Sequence, residues 1–241
     1  MRKYLFTALF LFACAGSMLA QKSADAYAEL FNEHLNKGLK SGITLSVDLP
    51  LYAYNTNVYT LQDTVTGGPA GYMYEGYTIV DSVQIDSAAM CLHKGIDAFP
   101  NRLDLYLGLA SMHLYCLDTE AMLNVLEQAM KQEKKNKGKW LWTADEKLSK
   151  EYDILFDRIQ EDFKRFLDAE ELDNAERLVR TAMRYFPKRA EYMNDLGVVY
   201  VYREDIEGAL ECYRKALKLA PKDELIKDNI EYLEQVLKNE D

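Results

Sequence analysis

The chain says one thing twice. AFPNRLDLYLGLASMHLY at residues 98–115 returns as YFPKRAEYMNDLGVVYVY at 185–202, 87 residues later. Phe99-Pro100 falls on Phe186-Pro187, Arg102 on Arg189, Leu109 on Leu196 and Ala110 on Gly197. Further on, Asp118 falls on Asp205, Leu126 on Tyr213 and Ala129 on Ala216. Apolar or small residues recur at spacings of three, four and seven, the period of a helix with one buried face. A chain that restates a helical passage at a fixed offset is a stacked array, in which each unit covers its neighbour.

The later copy holds two helices. The first runs near 190–203; Asp205 is placed to N-cap the second, near 206–219, and Pro221 ends the unit because proline cannot donate into a continuing helix. Met193, Leu196-Gly197, Tyr200, Ala209, Tyr213, Ala216 and Pro221 resemble the tetratricopeptide repeat, a 34-residue helix–turn–helix unit. Pro187 precedes Pro221 by that same period. Gly197 and Ala209 sit where two helices must approach closely, with Tyr200 and Tyr213 filling the wider gaps beside them. The resemblance implies an all-α solenoid of helix–turn–helix repeats.

Weaker copies surround this unit. Residues 173–186 supply a second helix, with Asp173 as N-cap and Glu176 closing a capping box, while Ala175 and Ala182 keep the small positions. Its partner helix ends near Asp168 and carries Phe163 where the family prefers glycine. Residues 103–133 form another unit, with Ala110 for the glycine and His113 for the tyrosine. An earlier one ends at Pro100, its second helix carrying Ala88 and its first spanning 25–40. The segment DELIKDNIEYLEQVLKN puts Ile226, Ile230, Leu233 and Leu237 on one face and reads as a polar-backed capping helix.

Two 34-residue periods leave 19 of the 87 residues over, and these fall in KQEKKNKGKWLWTADEKLSK. Lys131–Lys139 is a basic linker, where KKNKGK could attract an anion but reads as a solvated charge run. Thr143 and Glu146 make a capping box that predicts a long helix with the stripe Leu148, Tyr152, Leu155, Ile159, Phe163 and Phe166. Trp140 and Trp142 would anchor it. The expected organisation is therefore a first degenerate repeat over 21–100, a second over 101–133, linker and helix extension over 134–152, a degenerate third over 153–187, the best-matching unit over 188–221 and the capping helix over 222–241.

Residues 41–83 break the pattern. No Lys or Arg occurs from Ser41 through His93, and six of the 17 tyrosines fall here, among them Tyr72, Tyr74 and Tyr77. Alternation in GITLSV, NVYTLQDTV and GYMYEGYTIV predicts strands, with TGGPAG at 66–71 as a hairpin loop. This β-hairpin-like, Tyr-rich insertion is spliced between the helices of the first repeat. Two roles stay open: a cover for the exposed edge of the first repeat, or a contact surface for a ligand.

At the N-terminus, Met1-Arg2-Lys3 leads into the apolar run YLFTALFLFACAGSMLA, the pattern of an export signal over residues 1–20. SMLAQ resembles the signal-peptide ends of Bacteroidota envelope proteins, and cleavage after Ala20 would leave a protein beginning at Gln21. The rival is LFAC at 11–14, which resembles a lipobox and would lipidate Cys14. The expected location is the bacterial periplasm or cell envelope, with no membrane span once the signal is removed. Losing Arg2 and Lys3 takes the net charge from −10 to −12, and an acidic surface repels phosphate backbones, which disfavours nucleic acid. Cys91, Cys116 and Cys212 match neither a disulfide framework nor a zinc spacing; a single Cys91–Cys116 bridge is the alternative to free thiols.

The search for chemistry is mostly negative. His34, His93 and His113 lie on different predicted helices, no nucleophile signature or phosphate-cradling loop is present, and Asp48, Asp63, Glu75 and Asp81 are too loosely spaced for a calcium loop. No enzyme activity, metal or cofactor is expected. In the family, the first helices of the pairs line a concave face. Carried over, that face would include Asp104, Leu107, Ser111 and Leu114 in one unit and Asn194, Val198 and Val201 in the best one, suited to an extended peptide or a partner helix. Members that grip a C-terminal carboxylate carry Asn directly after the Leu-Gly pair and Lys three residues before the Gly; Val198 and Asn194 stand there instead. The sequence reads as a non-enzymatic protein-interaction module of the envelope. The alternative is glycan binding by the tyrosines of the insertion.

Overall fold

The computed structural model describes residues 23–44, 58–66, 73–142, 146–149 and 153–240. The signal segment, Cys14, Tyr72 and most of the 66–71 loop lie outside them. The chain divides into two units. Unit 1 comprises residues up to Met122 together with Trp140–Leu148, and unit 2 comprises Leu123–Lys139 with Ser149–Asp241. Both are built of antiparallel helix pairs of the α-solenoid kind, with one small sheet added to unit 1.

In unit 1, helices α1 (Ala24–Gly38) and α2 (Ser82–Ala98) form the first pair. A Cβ on Gly38 would stand 2.9 Å from Ile85 Cδ1, and one on Gly95 would stand 3.1 Å from Tyr27 Cβ, so the end of each helix lies against the start of the other. Between them the insertion forms β1 (Leu39–Thr44), β2 (Val58–Thr66) and β3 (Met73–Asp81), an antiparallel sheet in the order β1-β3-β2. The predicted hairpin is the β2–β3 pair, in register from Val58 opposite Asp81 to Thr66 opposite Met73, and β1 extends it to three strands. Asp81 ends β3 and N-caps α2 by accepting from the amides of Val83 and Gln84. Helix α3 (Leu103–Tyr115) follows the Phe-Pro turn, and α4 (Thr119–Asn136) begins after Asp118.

The extended helix predicted from Thr143 does not form over its described start. Trp142 N donates to Glu146 O at 2.7 Å, and Leu141 pairs with Lys147, so this stretch bonds to itself and to unit 1. Leu141 N reaches Asn101 O at 2.8 Å and Leu103 N reaches Leu141 O at 3.1 Å, while buried Trp140 meets Tyr106 edge-on at 5.7 Å. Tertiary pairing has overridden a local helix signal. The helix opens ten residues later as α5 (Ile154–Asp168), where Asp153 accepts from Phe156 N.

Unit 2 continues with α6 (Leu172–Tyr185), α7 (Ala190–Tyr202), α8 (Ile206–Leu219) and α9 (Glu224–Glu240). Asp205 N-caps α8 through Gly208 N at 2.9 Å, as its position predicts. Asp173 does not cap α6. That helix starts at Leu172, and the Asp173 carboxylate is held by Arg203 at 2.6 Å instead. Gly197 is where the pair closes: a Cβ there would lie 2.4 Å from the Tyr213 ring. Leu155, Ile159, Val179, Ala182, Tyr192 and Val199 are buried, each large side chain among them contributing about 1.5–3 kcal/mol. Ile226 and Leu233 of α9 close the far end against Ala209, Leu210, Tyr213 and Ala216.

The turns within the pairs share one geometry. Leu117, Glu170 and Glu204 all have φ near +60°, and Asp118 N→His113 O, Glu171 N→Phe166 O and Asp205 N→Tyr200 O are bonds of 2.8, 2.8 and 2.9 Å. Each is the long-range bond of a Schellman C-cap, with a non-glycine residue in the left-handed position.

Candidate functional site

In unit 2, α5, α7 and α9 are the opening helices of successive pairs. Gln160 Nε2 on α5 donates to Asp195 Oδ2 on α7 at 2.7 Å, and Asn229 Nδ2 on α9 donates to Asn194 Oδ1 at 3.0 Å. These bonds fix which sides of the three helices form one surface. Helical periodicity then places Asp157 and Lys164 beside Gln160 with Asp168 a turn beyond Lys164, Glu191 and Val198 beside Asn194 with Tyr202 a turn beyond Val198, and Leu225 and Tyr232 beside Asn229 with Asp228 next to both of them. Val198 and Val201 are half-buried and rest on the core around Tyr213. Tyr202, Leu225 and Tyr232 are open to solvent at 52%, 64% and 65%.

Asp195 sits at the floor of this face, 6% exposed. Burial pushes its carboxyl up to about 6, against the opposing hydrogen bonds from Gln160 and Asn194 and with the help of nearby Glu191. Around it, Asp157, Asp168, Glu191 and Asp228 are exposed and form no ion pair among the described residues. Lys164 stands beside them, and Arg189, which lies near Glu191, is held by Asp153.

The α6 side of the unit is different. An open recess of about 700 Å³ is lined by Arg177, Arg180 and Arg184 together with Asp173 and Glu176. Its charges are matched. Arg180 binds Glu176 at 2.6 Å and Tyr200 Oη at 2.7 Å, Arg184 binds Glu127 at 3.1 Å, and Arg203 joins Asp173 to Glu176. Burial opposes ionisation of Glu176, but Arg180 and Arg203 together hold its carboxyl below the usual range.

The expected face in unit 1 is less open. Asp104 is turned to Arg102, accepting from Nε at 2.8 Å and Nη2 at 2.9 Å, so it is an ion-pair partner of a buried arginine. Leu107, Ser111 and Leu114 are half-buried on α3. Tyr74 and Tyr77 fall in β3, but their rings lie outside the description. His34 Nδ1 contacts Gln84 Oε1 at 2.9 Å, His93 is exposed, and His113 is half-buried, its basicity lowered by burial. Cys91, Cys116 and Cys212 are free thiols. Among the described residues, no group of three or more His, Cys, Asp or Glu side chains is arranged to hold a metal ion.

The 34-residue period, the Leu196-Gly197 approach to Tyr213 and the Schellman turn coincide in one stretch. Residues 190–223 match the tetratricopeptide repeat family. Among solved structures, MamA is similar at 16% identity over 65% of this chain and 80% of that one, with a TM-score of 0.37. PilF of Pseudomonas aeruginosa is 14% identical over 65% and 63%, with a TM-score of 0.38. YrrB, described as a TPR protein with an unusual peptide-binding site, is 20% identical over 61% and 66%, with a TM-score of 0.33. Scores this low carry no residue from those proteins to this one. No curated protein matches the chain.

The repeat register names Asn194, Val198 and Val201; the structure places Gln160, Asp195 and Asn229, which the register did not name, against or beside them. The signal was present: Gln160 lies one 34-residue period before Asn194, and Asn229 one residue more than a period after it.

Proposed function

We propose that the chain is a non-enzymatic protein-interaction module, and that the α5–α7–α9 face of unit 2 receives an extended peptide or partner helix. The observation that carries this is the contrast between the two sides of one unit. On the α6 side the arginines and acids around the recess satisfy one another; on the α5–α7–α9 side, large apolar groups and acids stand exposed and unpaired. Scattered exposed apolar side chains are ordinary, but a group of them on one face of a repeat is a place for contact.

The test is an affinity capture from cell-envelope extract with three proteins: the intact chain, a version with residues 44–80 replaced by a short Gly/Ser link, and the double variant Leu225→Ser, Tyr232→Ser. The partner should survive the first change and be lost with the second, with helical circular dichroism unchanged in both. Loss with the link alone would move recognition to the insertion.

The envelope location belongs to this proposal. Its support is the basic head and apolar run of residues 1–20, and among the described residues no helix is long and apolar enough to cross a membrane. N-terminal mass analysis of fractionated protein should give a chain starting at Gln21. A diacylated Cys14 would make it a lipoprotein, and an intact Met1 would remove the export reading.

A further inference from the structure

The exposed charges of the α5–α7–α9 face are mostly acidic. Asp157, Asp168, Glu191 and Asp228 are exposed and without an ion pair among the described residues; the bases near them are Lys164 and Arg189, and Arg189 is held by Asp153. Two amides stand beside the acids. Gln160 gives one Nε2 N–H to Asp195 and Asn229 gives one Nδ2 N–H to Asn194, which leaves each amide a second N–H and a carbonyl oxygen. Exposed Leu225 and Tyr232 flank Asp228 at helical spacing on α9, and exposed Tyr202 stands on α7.

We infer that the occupant of this face is an extended segment of a partner protein in which lysine or arginine alternates with apolar residues. The inference rests on the proposed role of the face and names its ligand chemistry. An extended chain brings unpaired backbone N–H and C=O groups, which suit amides that each keep a donor and an acceptor, whereas a helix has spent its own internally. Its cations meet the unpaired carboxylates, and an acidic segment would meet four like charges against Lys164 and an Arg189 already bound to Asp153. Its apolar side chains cover Leu225 and Tyr232. Neighbouring helices lie about 9 Å apart and an extended chain rises about 3.3 Å per residue, so crossing α5, α7 and α9 takes about six residues.

The experiment uses fluorescein-labelled synthetic nonapeptides of three compositions: alternating Lys and Leu, alternating Glu and Leu, and alternating Lys and Ser. Anisotropy is read against the intact protein, Glu191→Gln with Asp228→Asn, Leu225→Ser with Tyr232→Ser, and the α6-side control Arg180→Ala. The Lys/Leu peptide should bind at least about tenfold more tightly than either other peptide, and weaken about fivefold or more with each of the first two double variants. Its affinity should fall with added salt, and Arg180→Ala should leave it unchanged.

If the Glu/Leu peptide binds as tightly and is lost with Leu225→Ser, Tyr232→Ser, the face is a binding site but its basic preference is wrong. If Lys/Leu binding ignores both double variants, the face itself is wrong. Absence of binding by all three peptides overturns the inference.

Discussion

Two Phe-Pro-x-Arg turns with the same local sequence meet different fates. Arg189 precedes α7 and reaches back to Asp153, the N-cap of α5, with its guanidinium 4.4 Å from the centre of the Phe156 ring and its side chain one-third exposed. Arg102 precedes α3 and reaches back to Asp25, in the first turn of α1, at 2.7 Å. The two arginines therefore make the same tie between successive opening helices. The sequence separations are 36 and 77 residues, and the difference of 41 is taken up by the strands inserted between α1 and α2. Arg102 is 1% exposed, however, because the Trp140–Leu148 strap lies over its turn and pairs with Asn101 and Leu103. The insertion after α4 thus converts a surface tie into a buried one, whose charge must be matched by Asp25 and Asp104 within the protein.

This difference sets the order of expected effects. Arg102→Ala leaves the largely buried Asp104 carboxylate without its partner, while half-exposed Asp25 returns to water, and should cost about 3 kcal/mol in chemical denaturation; a loss no greater than that of Arg189→Ala would mean that the burial of Arg102 does not matter. Gly197→Ala should cost about 1–3 kcal/mol, since the added methyl meets the Tyr213 ring. The other copy of the passage carries Ala110 and Leu126 at these two positions, so Tyr213→Leu should recover much of that cost in the double variant.

Asp195→Asn should act in the opposite direction. A carboxyl raised from 3.8 to about 6 binds its proton more tightly in the folded state, so stability falls as pH rises from about 4 to 6 and stays lower above. Asparagine keeps the bond from Gln160 and removes the buried charge, giving about 1–2 kcal/mol of added stability at pH 8. It should also flatten the slope between pH 4 and 6, measured by denaturant midpoints across that range. Arg189→Ala, at the more exposed tie, should cost about 1 kcal/mol.

Much of unit 2 was legible because periodicity and small residues report packing directly: Gly197, Ala209, Ala216 and Asp205 each do what their spacing implies. The strap was not legible. Thr143 and Glu146 spell a helix start, and only the backbone bonds of Leu141 to Asn101 and Leu103, forty residues away in sequence, and of Trp142 to Glu146 show that the described residues on either side pair instead. The Schellman turns were hidden because Leu117, Glu170 and Glu204 occupy the position where glycine usually marks a helix end. The α9 helix reads from its buried stripe as a polar-backed cap, and that reading passes over Leu225 and Tyr232, one helical position away from Ile226 and Leu233. For the proposed site, the repeat register points to Asn194, Val198 and Val201, but which of the surrounding side chains pair with one another is not written in any spacing rule.

The most direct test of the account is an NMR titration of the protein with the Lys/Leu nonapeptide, read at assigned amide and methyl resonances. The account predicts shifts concentrated at Gln160, Asn194, Val198, Leu225 and Asn229 with the α6 side quiet. Shifts centred on Arg177, Arg180 and Arg184, or spread evenly over both sides, would contradict it.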